Sequence, residues 1–464
     1  MRSSFFGLEV SRLALWAQQQ ALDVTGHNVA NASNPAYSRQ VISTQASPAL
    51  SVTGAGQVGT GVQVTDINRM RDAFLNRQIW NETSRTGYWT NHRRVLSELE
   101  VILQEPSDNS LRAAFDGWWE GLQELANQPD SISVREATVQ RGLNLVESFQ
   151  YIDRQLNDVN ENLEITINER VNRINDLGRR IGDINTEIIR VEGGGQKAND
   201  LRDVRDELVR HLAEIVPVKA LDTQNGGIQV LIGGRMLVSE FRVNLIEAVP
   251  GAPGDPAEVV WAHDQDPVDI TGGELGALQH LRAEVVPGYR NELLAMAKAM
   301  TVSHNDLHRD GFGLDGDTGL DLFLPGDGEM TLAEWRVNPD IVADPRLLAA
   351  AAVPDAAGDG SHALALAQLR HQPVLAGSTI DDYYRSTVAD LGIRTQEAQR
   401  MEANQEKLMS WLNQQQAEIS GVSLDEEMTN MIRYQHSYQA AARMITAVDQ
   451  MLDVLINRMG VVGR

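Results

Sequence analysis

Residues 145–191 read LVESFQYIDRQLNDVNENLEITINERVNRINDLGRRIGDINTEIIRV, and this stretch decides the fold. Its apolar residues are Leu145, Phe149, Ile152, Leu156, Val159, Leu163, Ile167, Val171, Ile174, Leu177, Ile181, Ile184, Ile188 and Val191, stepping by three or four throughout. That spacing lines one face of an α-helix. Extended back to Val134, a single helix spans about 87 Å at 1.5 Å per residue. The domain that holds it is a rod rather than a sphere. Gly193-Gly194-Gly195 breaks the pattern, and Leu201, Val204, Leu208, Leu212 and Ile215 form a shorter returning helix. Together they predict a long antiparallel helical hairpin.

On the N-terminal side, Leu111, Phe115, Trp118, Leu122 and Leu125 make another helix, and Asp72 to Leu103 reads as helical. On the C-terminal side, Pro217 changes the period to two. Ile228 to Ile232, Gly233-Gly234 and Met236 to Val238 predict a β-hairpin, with further strands over Phe241–Val249 and Glu258–Ala262. A helix returns with Leu293, Ala297, Met300, His304 and Leu307. Residues 311–377 are rich in Gly, Asp, Ala and Pro and hold only short helical pieces. Helical period resumes from Thr379 to Ile419, and Gly421 interrupts it.

Both ends of the chain are amphipathic helices. Near the start, Phe6, Val10, Leu13, Ala17 and Val24 form one apolar row, and Leu8, Leu15, Leu22 and Val29 form a second on the opposite side. A helix with two such rows is built to be covered on both sides. Asn31 to Tyr37 supplies the turn chemistry that ends it, and a small β excursion follows, rich in Gly54, Gly56, Gly59 and Gly61. At the other end Met431, Tyr434, Tyr438, Ala441, Ile445, Val448, Leu452, Leu455 and Met459 make a coiled-coil seam with few flanking ion pairs.

The predicted fold class is therefore mainly α with a smaller β part (α+β), elongated, with out-and-back topology. Residues 1–40 and 421–464 pair as a terminal helical domain. Residues 41–420 form the rod, with long helices over about 88–215, 275–310 and 379–419 and a β-region over about 216–270.

Composition limits the function. The 464 residues carry a net charge of −24, which repels phosphate backbones and anionic headgroups, so neither nucleic-acid binding nor membrane insertion is expected. No cysteine is present, which removes disulfides, thiol nucleophiles and Cys-ligated metals. No apolar run approaches a membrane span or the core of a secretory signal.

Three motifs imitate chemistry. Gly54-Ala-Gly56-Gln-Val-Gly59 matches the dinucleotide fingerprint, but a strand pattern follows where a helix N-terminus is needed. His304 and His308 have the spacing of a zinc-binding helix, but Asn305 replaces the general-base Glu and His304 falls on the apolar seam. A metal-dependent hydrolase using this pair is the remote alternative. Counting a calcium loop from Asp315 puts Leu320 at the glycine position and Gly326 where a bidentate Glu is required. The expectation is no enzyme, no cofactor and no metal.

Other residues carry a resemblance. Phe5 to Glu9, Ala21 to Asn31, and Asn34-Pro35-Ala36-Tyr37-Ser38-Arg39-Gln40 are similar to the N-terminus of the flagellar hook-associated protein 1 family. Gly59 to Val64 followed by Arg69, Asp72 and Phe74-Leu75 is similar to that family's next block. Gly272 to Leu278, Gly421 to Met428, Tyr434-Gln435 and Tyr438 to Arg443 resemble its later ones. Tyr37-Ser38-Arg39-Gln40 separates it from hook and rod proteins, the alternative within the class. Ala36 departs from the glycine expected there, and Leu324–Thr331 is too short for the outer β-domain that many relatives insert.

The resemblance implies a structural component of the bacterial flagellum, at the junction of hook and filament, exported without a cleaved signal. Its implied partners are further copies of itself, the hook protein, the second junction protein and an export chaperone on the C-terminal helix. The residues expected to pack subunits together are Phe6, Leu8, Val10, Leu13, Leu15, Leu22, Val24, Met431, Tyr434, Tyr438, Ile445, Val448, Leu452, Leu455 and Met459.

Overall fold

The computed structural model describes residues 5–52, 56–103, 110–251 and 257–454. Helix α1 (Phe6–Ala30) ends in the turn signalled by its sequence, where Asn34 Oδ1 accepts the Ala36 N–H at 3.1 Å. That side-chain closure needs no left-handed residue, and Ala36 stays outside the positive-φ region. The missing glycine therefore costs the turn nothing. Strand β1 (Gln40–Ala46) follows, and β2 (Leu50–Val52) and β3 (Gly56–Val58) form the tip of the excursion. Strand β4 (Val62–Arg69) returns antiparallel to β1, from Ala46↔Val62 to Gln40↔Arg69.

Four helices come next: α2 (Ala73–Leu103), α3 (Leu111–Asn127), α4 (Ile132–Glu192) and α5 (Asn199–Ile215). The 61 residues of α4 are one unbroken helix, about 92 Å long at 1.5 Å per residue. Every seam residue from Leu145 to Ile181 is buried. The shorter returning helix runs over the residues its spacing marks, Leu201 to Ile215. Pro217 holds the residue before it out of helical geometry, so α5 stops after 17 residues and faces only the end of α4. The remainder of α4 packs on α3, α6, α7 and the small sheets, introduced below.

Strands β5 (Lys219–Asp222), β6 (Ile228–Ile232) and β7 (Arg235–Val238) form a three-stranded antiparallel sheet. Gly233 and Gly234, with φ of 52° and 76°, make its tight turn. Strands β8 (Ile246–Val249) and β9 (Glu258–Trp261) form a separate ribbon. The strand expected from Phe241 begins only at Ile246. Phe241 is 77% exposed, and a turn intervenes in which Ser239 and Arg242 bond to each other. Two asparagines of α4 dock the β material: Asn175 exchanges two hydrogen bonds with the Ile246 backbone, and Asn185 does the same with Ile228.

Helix α6 (Gly273–His280) runs through a π-turn at Leu281–Val285 into α7 (Val286–Asp310). Pro287 has no N–H for the carbonyl four residues back, and the Val286 N–H reaches Leu281 instead. The short helical pieces α8 (Pro339–Ala343) and α9 (Ser361–Gln368) follow as expected, preceded by two short strands that were not, β10 (Phe323–Leu324) and β11 (Arg336–Val337). The β10–β11 ribbon pairs Phe323 with Val337, and no inserted domain interrupts it among the described residues. Helix α10 (Ile380–Ser420) then runs antiparallel to α2, with Leu412 against Leu75 and Ile79, and Glu402 paired with Arg93. Gly421 breaks α10, and α11 (Leu424–Asp453) closes the chain beside α1. One apolar cluster from Trp80 to Ala398 forms the core of the rod. The architecture is mainly α with a few small sheets.

Candidate assembly interface

Helices α1 and α11 lie along one another and carry the residues singled out in the sequence. Val24 and Val448 are buried, while Phe6, Leu8, Val10, Leu13, Leu15, Leu22, Met431, Tyr434, Ile445 and Leu452 are half-buried. Tyr438 is 38% exposed, and Leu455 and Met459 lie outside the described residues. The helices meet at Gly7, where a Cβ would touch Val448 Cγ2 at 3.4 Å. The β1–β4 ribbon also packs on α1, and just before β4 a Cβ added to Gly61 (φ 114°) would lie 3.6 Å from Val10 Cα and Leu13 Cδ1. Part of the double cover that two apolar rows require is therefore supplied by the chain itself.

The rest of the apolar surface faces outward. Phe5 and Trp16 on α1 are about half exposed, as are Leu424, Met428, Ile432, Met444, Met451 and Val454 on α11. Single exposed apolar residues are ordinary, but here eight lie on or at the ends of two adjoining helices.

Where this helical pair meets the rod, the structure holds a buried polar clamp. Asn28 of α1 uses its whole amide. Its Oδ1 accepts from the Tyr37 hydroxyl at 2.7 Å and the Gln40 N–H at 2.9 Å. Its Nδ2 donates to the Gln40 carbonyl at 2.9 Å and to Glu427 Oε2 of α11 at 3.1 Å. Arg39 completes the set, with Nε 2.8 Å from Glu427 and Nη1 3.0 Å from Glu426. Burial and the carboxylates of Asp200, Asp203 and Glu427 push the Tyr37 hydroxyl well above its ordinary pKa, so it stays a donor.

A second layer ties the same loop to α5. Asp203 accepts from the Ser38 N–H at 2.8 Å and the Ser38 hydroxyl at 2.7 Å, and pairs with Arg69 at 2.7 Å and Arg71 at 3.2 Å. Asp206 pairs with Arg69 at 2.9 Å and Arg205 at 3.1 Å. Burial alone would raise the Asp206 carboxyl, but Arg69, Arg205 and Arg71 outweigh it and hold it below the ordinary carboxylate range. The Asp206 carboxylate is therefore ionised at neutral pH. Charge-assisted bonds at a buried site fix geometry strongly, and these join the loop after α1 to α5.

The imitators resolve into structure. His304 Nε2 accepts the Trp118 indole N–H at 3.1 Å, so its Nδ1 carries the proton and donates to the Met300 carbonyl at 2.9 Å. His308 Nε2 accepts the Ala349 N–H at 3.0 Å, and its Nδ1 donates to the Leu320 carbonyl at 2.7 Å. Neither ring has a lone pair left for a metal. Burial lowers both to about 4, so both are neutral. The glycine motif runs into β3, part of a β-ribbon, with Gly54 outside the described residues. In the acidic loop, Asp315 pairs with Arg346 at 3.1 Å, and Asp321 with Arg309.

Sequence periodicity does not reveal the clamp, because its members are polar and up to 399 residues apart. One local signal exists: Asp200, Asp203 and Asp206 repeat every third residue on α5, opposite its apolar face.

Comparison with known proteins gives a consistent picture. A family model described as the helical domain of flagellar hook-associated protein FlgK matches residues 96–323. A second, the C-terminal segment of flagellar basal body rod FlgEFG proteins, matches residues 413–459. Flagellar hook-associated protein 1 of Bacillus subtilis (strain 168) is 34% identical, covering 100% of both chains. The protein of that name from Escherichia coli (strain K12) is 26% identical over 95% of this chain and 97% of its own. The flagellar hook junction protein FlgK from Burkholderia pseudomallei shares the fold, with a TM-score of 0.65 at 15% identity over 74% of this chain and 100% of that one.

Proposed function

The chain belongs to the flagellar hook-associated protein 1 family, a structural component of the hook–filament junction, and we propose that its paired terminal helices build it into that junction. The carrying observation is the apolar surface left on α1 and α11 after they have packed on one another. Residues 1–40 and 421–464 act as the inner, polymerising unit, and residues 41–420 as the rod outside it. Phe6, Leu8, Val10, Leu13, Leu15, Leu22 and Val24 meet Met431, Tyr434, Tyr438, Ile445, Val448 and Leu452, with Leu455 and Met459 continuing the seam. Outward residues such as Trp16 and Met444 then meet neighbouring copies.

The polar clamp gives this unit a fixed angle to the rod, which a helical assembly requires of every subunit. The reading of the chain as a non-enzyme rests on the fully engaged rings of His304 and His308. Further partners are the hook protein, the second junction protein and an export chaperone that shields the C-terminal helix before export. Labelled antibody on intact flagella tests the location. Signal confined to the hook–filament boundary supports the reading; signal along the hook or rod favours a hook or rod protein.

A further inference from the structure

We propose that a cationic cavity at the base of the rod is a socket for carboxylate groups presented by a second copy of the chain, an inference that rests on the junction reading. The cavity, about 360 Å³, lies between the end of β4, the first turns of α2, helix α5 and the β5–β6 hairpin. Arg69, Arg71, Arg77, Lys197, Arg202 and Arg205 all line it, against Asp206 and Asp222. Six cations on one cavity stand out in a chain whose net charge is −24.

Several of these groups are already engaged. Arg69 and Arg71 share Asp203 and Asp206, Arg202 is bidentate with Glu192 at 2.6 and 2.7 Å, and Lys197 pairs with Asp66 at 2.6 Å. Arg71 Nε faces Asp206 at 3.6 Å, and Arg205 pairs with Asp206 and Asp222, so one cation is left over. Arg77 is exposed at the cavity and finds no carboxylate among the described residues.

The chemistry that fits is an oxyanion held by guanidinium forks, with the carboxylate as the group this protein itself offers in excess. Two bodies of like charge associate closely only where a local patch of opposite sign meets the dominant one. The cavity is such a patch. It lies beside the clamp, sharing Arg69, Arg71 and Asp206 with it, so an incoming carboxylate would strengthen the same arginine cluster.

Two measurements on the full chain test this. In solution, citrate should raise the melting midpoint beyond sodium chloride of equal ionic strength, and Arg77→Glu should weaken citrate binding by about tenfold or more. Arg77 is exposed, so the variant's melting without citrate should match the parent's. In flagella, a photo-crosslinking residue at position 77 should join the protein to a second copy through an acidic segment. Crosslinking only to a different flagellar protein, or no citrate effect beyond chloride, overturns the socket even where antibody still marks the junction. Antibody signal elsewhere on the flagellum overturns the junction reading and the socket with it. A citrate effect without any crosslink between copies shows a small-anion site and overturns the assignment to a second copy.

Discussion

Asn28 and Glu427 stand 399 residues apart in the chain and are joined by a 3.1 Å hydrogen bond, the direct polar link between the first helix and the last. Asn28 also spends its other three hydrogen-bonding positions on Tyr37 and the Gln40 backbone. Asn28→Asp keeps the shape but loses both donors and sets a second carboxylate against Glu427. The expected cost is about 1–3 kcal/mol, concentrated at the helical pair. Amide exchange over 424–453 should accelerate while exchange over 145–188 does not. Unchanged protection of α11 would show that the clamp does not hold it.

Asp206→Asn probes the second layer. The carboxylate is buried among Arg69, Arg71 and Arg205, and removing its charge leaves those guanidiniums underpaired at a buried site. Breaking a buried ion pair from one side costs about 3–5 kcal/mol. Chemical denaturation of the whole rod should register it, because α5 belongs to the main core.

Leu163→Gly tests the long helix. The side chain is 3% exposed in the middle of α4, so its loss combines a cavity with the backbone freedom of glycine. A destabilisation of about 3–5 kcal/mol is expected. A melting midpoint matching the parent's would mean that this part of α4 is not core.

Acid should weaken the rod before it titrates most carboxylates. His92, His304 and His308 are each lowered to about 4 from 6.5, principally by burial. They are neutral when folded and take up protons on unfolding, so between those values the unfolded chain binds more protons. Their contribution is complete above about pH 6.5 and falls toward pH 4, at up to about 1.4 kcal/mol per pH unit for each ring. A denaturation series across that window reads the slope. His304→Gln should remove one ring's share of it, and an unaltered slope would contradict the assignment.

The long helices were legible because burial on one face imposes a period that few other structures share. The row Leu145 to Val191 lies on one helix as its spacing requires, and so does the seam from Met431 to Leu452, whose last members Leu455 and Met459 fall outside the described residues. The β part was less legible. The strand expected from Phe241 was displaced by a Ser239–Arg242 turn, and β5 has only four residues, too few for a period to register. Pro217 was legible, and the returning helix ends just before it at Ile215. The clamp was out of reach for a different reason. Asn28, Arg39, Asp203 and Glu427 are recognisable only through partners that tertiary structure brings together.

On the proposed reading, the seam between terminal helices, rather than the rod, builds the protein into the flagellum. Ile445 and Leu452 are half-buried on the α11 seam, away from the rod core. A carboxylate in such a seam costs several kcal/mol unless paired. The direct measurement is junction labelling in cells that export the double variant Ile445→Asp, Leu452→Asp, with the rod's melting followed in the purified protein. The account predicts unchanged melting of the rod and loss of signal at the hook–filament boundary. Normal labelling of that boundary by the double variant would contradict it.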